Sequence, residues 1–404
     1  MEFIEQVCAR LETTAVRDHM NVAEAITSQF ALVDAAQRVM GSDAVFTEDY
    51  GQVRDLATVG FGGGGRPRST ANVEQVLADF FGTEDAVLIH GAGSGAIRGM
   101  LNAGLRPGAK VVLHNAHPYK TTLPAMNHMG LQLVYADFND LKGLKDTLHN
   151  ARPDGIYVQH VPQQLGDSHD IAAVIESARE ICGADAAILV DDNYAVMRAR
   201  KIGAQMGANA SAISLFKLLA PTPIGVVVGD GKLVNSIRRD LSSAGCQVQG
   251  SQAMGALRML VHAPIALAIQ NQTVLDATQR INELAISGEL PFVHRAFAAQ
   301  PGIRSIVLTF DRPLAEEFVR SAWRNGSPSQ SVGEEAQYEF LPLFTYLTST
   351  FLKAMPGLEQ YAIRINPMRS GPDTILRILR ASLSDESFRN AVSSLETSKS
   401  SSER

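Results

Sequence analysis

Cysteine is scarce in this chain: three among 404 residues, Cys8, Cys182 and Cys246, widely separated and odd in number. That excludes the disulfide framework of small secreted domains, and no histidine stands at metal-ligand spacing from a cysteine. Positive charge is not in excess either. Thirty-six Lys and Arg face 42 Asp and Glu, for a net charge of −6, so no basic field exists to attract a nucleic acid. No apolar run approaches the roughly 20 residues that cross a bilayer. The amino-terminal MEFIEQVCARLETTAVRDHM mixes both signs of charge among its apolar residues, which is not the pattern of a secretory signal. Repeats, collagen triplets and coiled-coil heptads are missing too. A cytoplasmic protein with no nucleic-acid or membrane partner is expected.

What is present is enough apolar sequence, 45% of residues against 19% charged, to bury a large core and build two domains. The informative stretch runs from Ala186 to Asp230. An apolar run, Ala186 to Val190, has the length of a buried strand and ends in two carboxylates, Asp191 and Asp192. Ala212 and Ile213 then lead into Ser214-Leu215-Phe216-Lys217, and a second apolar run, Ile224 to Val228, follows. Ligands in open α/β sheets bind at the carboxyl ends of strands, so acid and lysine face one crevice. A lysine in apolar surroundings loses its proton readily and condenses with a carbonyl. A carboxylate can keep a pyridine nitrogen protonated and so make the ring an electron sink.

Val190-Asp191-Asp192-Asn193-Tyr194 and Ser214-Leu215-Phe216-Lys217 resemble the core motifs of fold-type I pyridoxal-phosphate enzymes, the aspartate aminotransferase superfamily. The resemblance implies an internal Schiff base on Lys217, a pyridine-nitrogen contact from Asp191 or its neighbour Asp192, a cofactor contact from Tyr194 and a phosphate contact from Ser214. It extends from about Gly62 to Arg380 and implies an α/β fold. In that fold a large domain with a mostly parallel, helix-covered sheet precedes a smaller carboxy-terminal α/β domain. The layout is also similar to that of the YhfS-like group.

Other segments fall into order around this core. Residues 1 to about 45 read as helical, either an arm on a partner subunit or a capping helix. Four glycines, Gly62 to Gly65, precede Arg66 and Arg68. In the cystathionine γ-synthase branch a loop here lends an arginine to the neighbouring subunit's cofactor phosphate, so Arg66 or Arg68 is a candidate and a homodimer is implied. The strand Ala86–Ile89 runs into His90-Gly-Ala-Gly-Ser-Gly-Ala-Ile97, a turn that opens a helix and offers backbone N–H groups to an anion. Gly93, Ser94 and Gly95 are the phosphate candidates. After the strand Lys110–Leu113, Tyr119 with Thr122 resembles the branch's Tyr-x-x-Thr, whose tyrosine stacks on the pyridine ring; His117 is the competitor. Gln163-Gln-Leu-Gly166 stands where many aminotransferases carry Asn-Pro-Thr-Gly, and Gln163 is the substitute for the asparagine at the cofactor's phenolic oxygen.

Arg258 to Gly288 reads as one long helix, despite Pro264, that bridges to the smaller domain. There, Ser305–Phe310 and Tyr361–Asn366 are strands. Arg364, inside an apolar strand, is the candidate clamp for a substrate carboxylate, a role suited to arginine's planar fork. The boundaries read as 1–70 (arm and glycine-rich loop), 71–265 (cofactor domain), 266–390 (bridging helix and small domain) and a disordered tail, 391–404. The implied activity is that of a pyridoxal 5'-phosphate enzyme on a free amino acid, an aminotransferase first. A β- or γ-lyase or replacement enzyme, or a non-catalytic relative of the fold, are the alternatives. No metal is implied.

Overall fold

A computed structural model describes residues 2–14, 18–41, 66–116, 118–299, 305–331, 336–347, 352 and 355–402. Two helices open the chain, α1 (Glu2–Thr13) and α2 (Val22–Met40). Next come α3 (Arg68–Phe81), β1 (Asp85–His90), α4 (Ala92–Gly104), β2 (Lys110–His114), α5 (Thr122–His128) and β3 (Gln132–Ala136). They are followed by α6 (Leu141–Ala151), β4 (Gly155–Gln159), α7 (Ile171–Cys182), β5 (Ala187–Asp191), β6 (Ala210–Ser214) and β7 (Ile224–Gly229). These seven strands form one sheet in the order β1-β7-β6-β5-β4-β2-β3.

The five strands from β6 to β3 are parallel, and β7 runs antiparallel to both β6 and β1. The reversal follows from connection length. Helices carry the chain back between the parallel strands, whereas only the short turn Leu215–Leu218 and a loop separate β6 from β7. Strand β5 is apolar almost throughout because both of its faces are covered. One face packs Val111, Leu113, Tyr157 and Leu189 against Ile97, Met100 and Leu101 of α4. The other packs Val158, Ile188 and Val190 against Leu144, Leu148, Val174 and Ile175 of α6 and α7.

Beyond β7 lie α8 (Gly231–Ser243), α9 (Gly250–Leu260) and α10 (Ala263–Ile286). The single long helix read from Arg258 onward is thus two helices, meeting at a bend of 43°. The break falls at Val261–His262, just before Pro264, whose ring and missing N–H cannot continue a preceding helix. A second, wholly antiparallel sheet follows, built from β8 (Val293–Ala299), β9 (Ser305–Phe310), β10 (Leu343–Tyr346) and β11 (Ala362–Asn366) in the order β10-β11-β9-β8. Helices α11 (Ala315–Arg324) and α12 (Leu358–Tyr361) lie between its strands, and α13 (Pro372–Ser384) and α14 (Glu386–Ser402) complete the chain. Phe310, Phe318, Phe344 and Phe388 are fully buried in its core, each contributing about 1.5–3 kcal/mol.

The tail read as disordered is helical through Ser402. Ser and Thr are only weak helix breakers, and Glu386 in the first turn favours the helix dipole. Both amino-terminal helices pack on their own chain, at different places. Ile4, Val7, Cys8 and Leu11 of α1 cap the small sheet against Phe297, Val307 and Ala362. Leu32, Ala35 and Ala36 of α2 join the core of the large unit. The Gly62–Gly65 run lies outside the described residues. Among those described, no single helix is long and apolar enough to cross a membrane.

Candidate functional site

Lys217 sits in the short turn after β6, where Ser214 Oγ accepts its backbone N–H at 3.4 Å. Its Nζ stands 3.7 Å from the centre of the Tyr194 ring and 5.9 Å from that of Tyr119. The two tyrosines are electrostatically coupled. Tyr194, together with burial, pushes the Tyr119 phenol up, against the charges of Lys217 and Arg364. Arg364, on β11, is 3% exposed and is also electrostatically coupled to both tyrosines. Burial pulls its guanidinium below the usual arginine range, yet arginine remains a cation in proteins.

Strand β11 belongs to the small sheet, so its reach to the two tyrosines needs a fixed junction. Arg198 Nη2 donates to Gln270 Oε1 at 3.0 Å, and Gln270 Nε2 donates to Asn366 Oδ1. All three residues are buried. This polar chain ties the loop after β5, helix α10 and the end of β11 together.

The two adjacent acids have separate duties. Asp191 Oδ1 accepts the Asn193 N–H at 3.1 Å and Asn193 Nδ2 at 2.6 Å, while Oδ2 accepts the Tyr157 hydroxyl at 3.0 Å. Burial pushes this carboxyl up, opposed by Asn193, the Lys217 charge and Tyr157. Asp192 points elsewhere: Oδ1 is 2.6 Å from His160 Nδ1, and Oδ2 accepts the Gly203 N–H at 3.0 Å. Both of its oxygens are engaged by the frame around His160 and Gly203, whereas Asp191 feels the Lys217 charge.

The glycine turn between β1 and α4 has the shape of an anion cradle. Gly91 adopts φ +92, a conformation costly for a side chain. A Cβ at Gly93 would lie 2.2 Å from Asn193 Oδ1, and one at Gly95 would lie 1.9 Å from His90 O. The Gly91 and Ala92 N–H groups donate to Pro223 O at 2.9 and 2.8 Å. Among the described residues, those of Gly93 and Ser94 have no partner outside the helix, as expected for a helix start. Ser94 Oγ donates to Thr121 Oγ1 at 3.2 Å, which brings the cradle beside the Tyr119 segment. A cradle, a buried acid, two aromatic rings and a lysine fit a flat phosphorylated pyridine.

Backbone strain gathers here as well. Among the described residues, seven non-glycine residues have positive φ; four of them lie in the cradle (Ala92), just after Lys217 (Leu219) and in the loops that follow β5 and β11 (Met197 and Met368). Such strain persists where the surroundings enforce it, often at functional sites.

Gln163 is buried, and its backbone N–H donates to Asp167 Oδ2 at 3.0 Å. Arg66 is paired with Glu74 of its own chain, and Arg68 opens α3. His117 lies outside the described residues. A cavity of about 530 Å³ lies on the His160 side, bounded by Asp18, His160, His169, Arg200 and Met206. Lys217, Tyr119 and Arg364 are not among its walls. Ligand atoms of His114, Asp167 and His169 lie within 4.8 Å of one another. However, His114 Nδ1 accepts the Phe138 N–H at 3.1 Å, so Nε2 carries the proton it shares with Asp167 at 3.0 Å. That tautomer leaves His114 no lone pair for a metal.

Sequence reasoning passed over Tyr157 and Asn193. The available signal for Tyr157 was a tyrosine inside the apolar strand Gly155-Ile-Tyr-Val-Gln159. Pairing of Tyr157 with Leu189 sets it on the face that carries Asp191, two residues further along.

The aminotransferase class-V family model matches residues 65–286, and the model for the YhfS-like C-terminal domain matches 278–379. The YhfS protein of Escherichia coli (strain K12), described as uncharacterized, is 42% identical over 365 residues, covering 90% of this chain and 97% of that protein. The crystal structure of the pyridoxal-5'-phosphate dependent protein YhfS from Escherichia coli superposes with a TM-score of 0.83. It is 41% identical and covers 92% of this chain and 99% of that one. A cystathionine gamma synthase from Xanthomonas oryzae pv. oryzae gives 0.65 at 20% identity, covering 88% and 97%, a likeness of fold alone. By the two family models, the 42% identical relative and the 0.83 superposition, the chain belongs to the fold-type I pyridoxal-phosphate enzymes, in their YhfS-like group.

Proposed function

We propose that the protein acts on the α-carbon of a free amino acid, as an aminotransferase. The observation that carries this reading is Lys217, whose Nζ lies close to the Tyr194 and Tyr119 rings, together with the buried Arg364 coupled to both tyrosines. When bound, pyridoxal phosphate supplies the electron sink for cleavage of a bond at the α-carbon. Lys217 holds the cofactor through its amine, then takes and returns the α-proton. Asp191 keeps the pyridine nitrogen protonated. The Gly93, Ser94 and Gly95 backbone, with the Ser94 and Ser214 hydroxyls, holds the phosphate. Tyr119 covers the ring face, while Tyr194 and, less directly, Gln163 serve the phenolic oxygen. Arg364 binds the substrate carboxylate through its planar fork.

The assembly is a homodimer. On α2, Val22, Ile26, Phe30 and Val33 are 43%, 38%, 65% and 46% exposed. Their spacing of four, four and three residues makes one apolar stripe facing away from the chain's own core. A second copy covers that stripe, and Arg66 or Arg68 serves the neighbouring cofactor phosphate.

Elimination or replacement at the β- or γ-carbon is the second reading. The Tyr119 and Tyr194 phenols close to Lys217 favour it, because an O–H there can protonate a leaving group. One experiment separates the two. The purified holoenzyme is incubated with single amino acids, with and without an α-keto acid, while the cofactor absorbance, ammonia and keto products are followed. Transamination requires the acceptor for turnover and releases no ammonia. Elimination turns over without an acceptor and releases it.

A further inference from the structure

Tyr157 is 2% exposed on β4, packed among apolar residues that include Met126, Val111 and Leu189. Burial there makes its hydroxyl a costly group unless it is hydrogen-bonded, and its partner is Asp191 Oδ2, at 3.0 Å. We infer that Tyr157 is a positioning residue for Asp191, whose hydroxyl keeps that carboxylate ionised and oriented toward the pyridine nitrogen. The inference rests on the assignment of Asp191 proposed above.

The chemistry follows from where one proton resides. A pyridine nitrogen and a buried carboxylate compete for it, and the stronger base keeps it. Burial makes Asp191 the stronger base; each donor to the carboxylate makes it weaker and returns the proton to nitrogen. Asp191 has three such donors. Two come from Asn193, through its backbone and its side chain, and belong to the local turn that follows β5. Only the Tyr157 hydroxyl arrives from another strand. The register sets Tyr157 opposite Leu189 and Gln159 opposite Asp191, so the phenol reaches forward by two residues along the sheet. No proton leaves Tyr157 in this arrangement. Its phenol is pushed well above the usual tyrosine range, by burial first and then by the Asp191 charge, and it serves as a fixed donor.

The test uses holoenzyme loaded with pyridoxal phosphate labelled with nitrogen-15 in the ring. The ring-nitrogen signal is read in wild type, Tyr157→Phe, Asp191→Asn and the double variant. The wild-type signal should be that of a protonated nitrogen. Tyr157→Phe, which removes one oxygen and little volume, should move it toward the unprotonated position and lower kcat about tenfold with KM nearly unchanged. That is the loss of one hydrogen bond to a charged group. Asp191→Asn should move the signal fully, and adding Tyr157→Phe to it should change nothing more. Should Tyr157→Phe not fold, a fluorotyrosine at 157, a stronger donor of nearly the same shape, should shift the signal further toward the protonated limit. A nitrogen signal that ignores position 157 while still responding to Asp191→Asn would overturn the inference and spare the assignment of Asp191. A signal that also ignores Asp191→Asn would overturn both.

Discussion

Asp192 Oδ1 lies 2.6 Å from His160 Nδ1, so the second of two adjacent acids is part of the frame. Its other oxygen holds Gly203. Asp192→Ala should therefore act on stability, costing about 3–5 kcal/mol, because it leaves a buried histidine and a buried N–H without their partner. Asp191→Ala should abolish turnover while the cofactor still binds. Urea unfolding beside kcat, measured on both variants, checks the division. An Asp192→Ala protein of normal stability with no activity would reverse it.

Lys217 should be the lysine that carries the cofactor. Borohydride reduction followed by peptide mapping should find the label on the peptide that includes Lys217. Label on Lys120 or Lys201 would refute the assignment. Lys217→Arg should keep the charge beside Tyr194 but lose the label altogether, because a guanidinium does not condense with the cofactor aldehyde.

Arg364→Lys keeps the charge and loses the planar fork. Two charge-assisted bonds become one, on the order of 1.5–3 kcal/mol, and amino-acid binding should weaken roughly ten- to a hundredfold. Cofactor retention should not change. Spectral titration with an amino acid and its decarboxylated amine tests this. Wild type should prefer the acid, and the variant should lose most of that preference.

Acid should loosen the segment from His160 to Asp170. Burial, aided by the nearby His114, holds His169 down at about 4 against an ordinary 6.5. The unfolded chain takes up this proton first, so the stabilisation is complete above pH 6.5 and is lost as pH falls toward 4. Asp167 extends the same trend. Burial opposes its ionisation, but the hydrogen bond from His114 and further donors bring it to about 2 from 3.8. Its share is present above pH 3.8 and is lost as pH falls toward 2. Each contributes on the order of 2–3 kcal/mol. Thermal melting against pH should show wild type losing stability between 6.5 and 4. His169→Asn should flatten that part of the profile.

The large sheet and the lysine motif were legible because they depend on local pattern. Uninterrupted apolar runs such as Ala187–Val190 mark strands buried on both faces, and Lys217 follows one of them at a fixed offset. The small sheet was half legible. Strand β8 breaks alternation with a register shift between Val293 and Arg295, and β10 is only four residues long. Neither leaves a periodic trace. Within the site, Asp191 was readable but its separation from Asp192 was not. The difference lies in His160 and Gly203, neighbours brought in by other strands and loops. Tyr157 was hidden for the same reason, since its meaning depends on the order of β4 and β5 in the sheet. The tail failed on composition, because serine-rich sequence argues against a helix that forms nonetheless.

Pro223 O receives both Gly91 and Ala92 N–H groups, and Pro223 immediately precedes β7 in the loop that carries Lys217. A single carbonyl thus joins the anion cradle to the lysine loop like the crossbar of a calliper. The gap between lysine and cradle is a dimension of the backbone, set before any ligand arrives. A cofactor is then measured by length, from its carbonyl carbon to its phosphate, as well as by charge. Lengthening the Leu219–Pro223 loop by one residue would reset the instrument without touching a single contacting side chain.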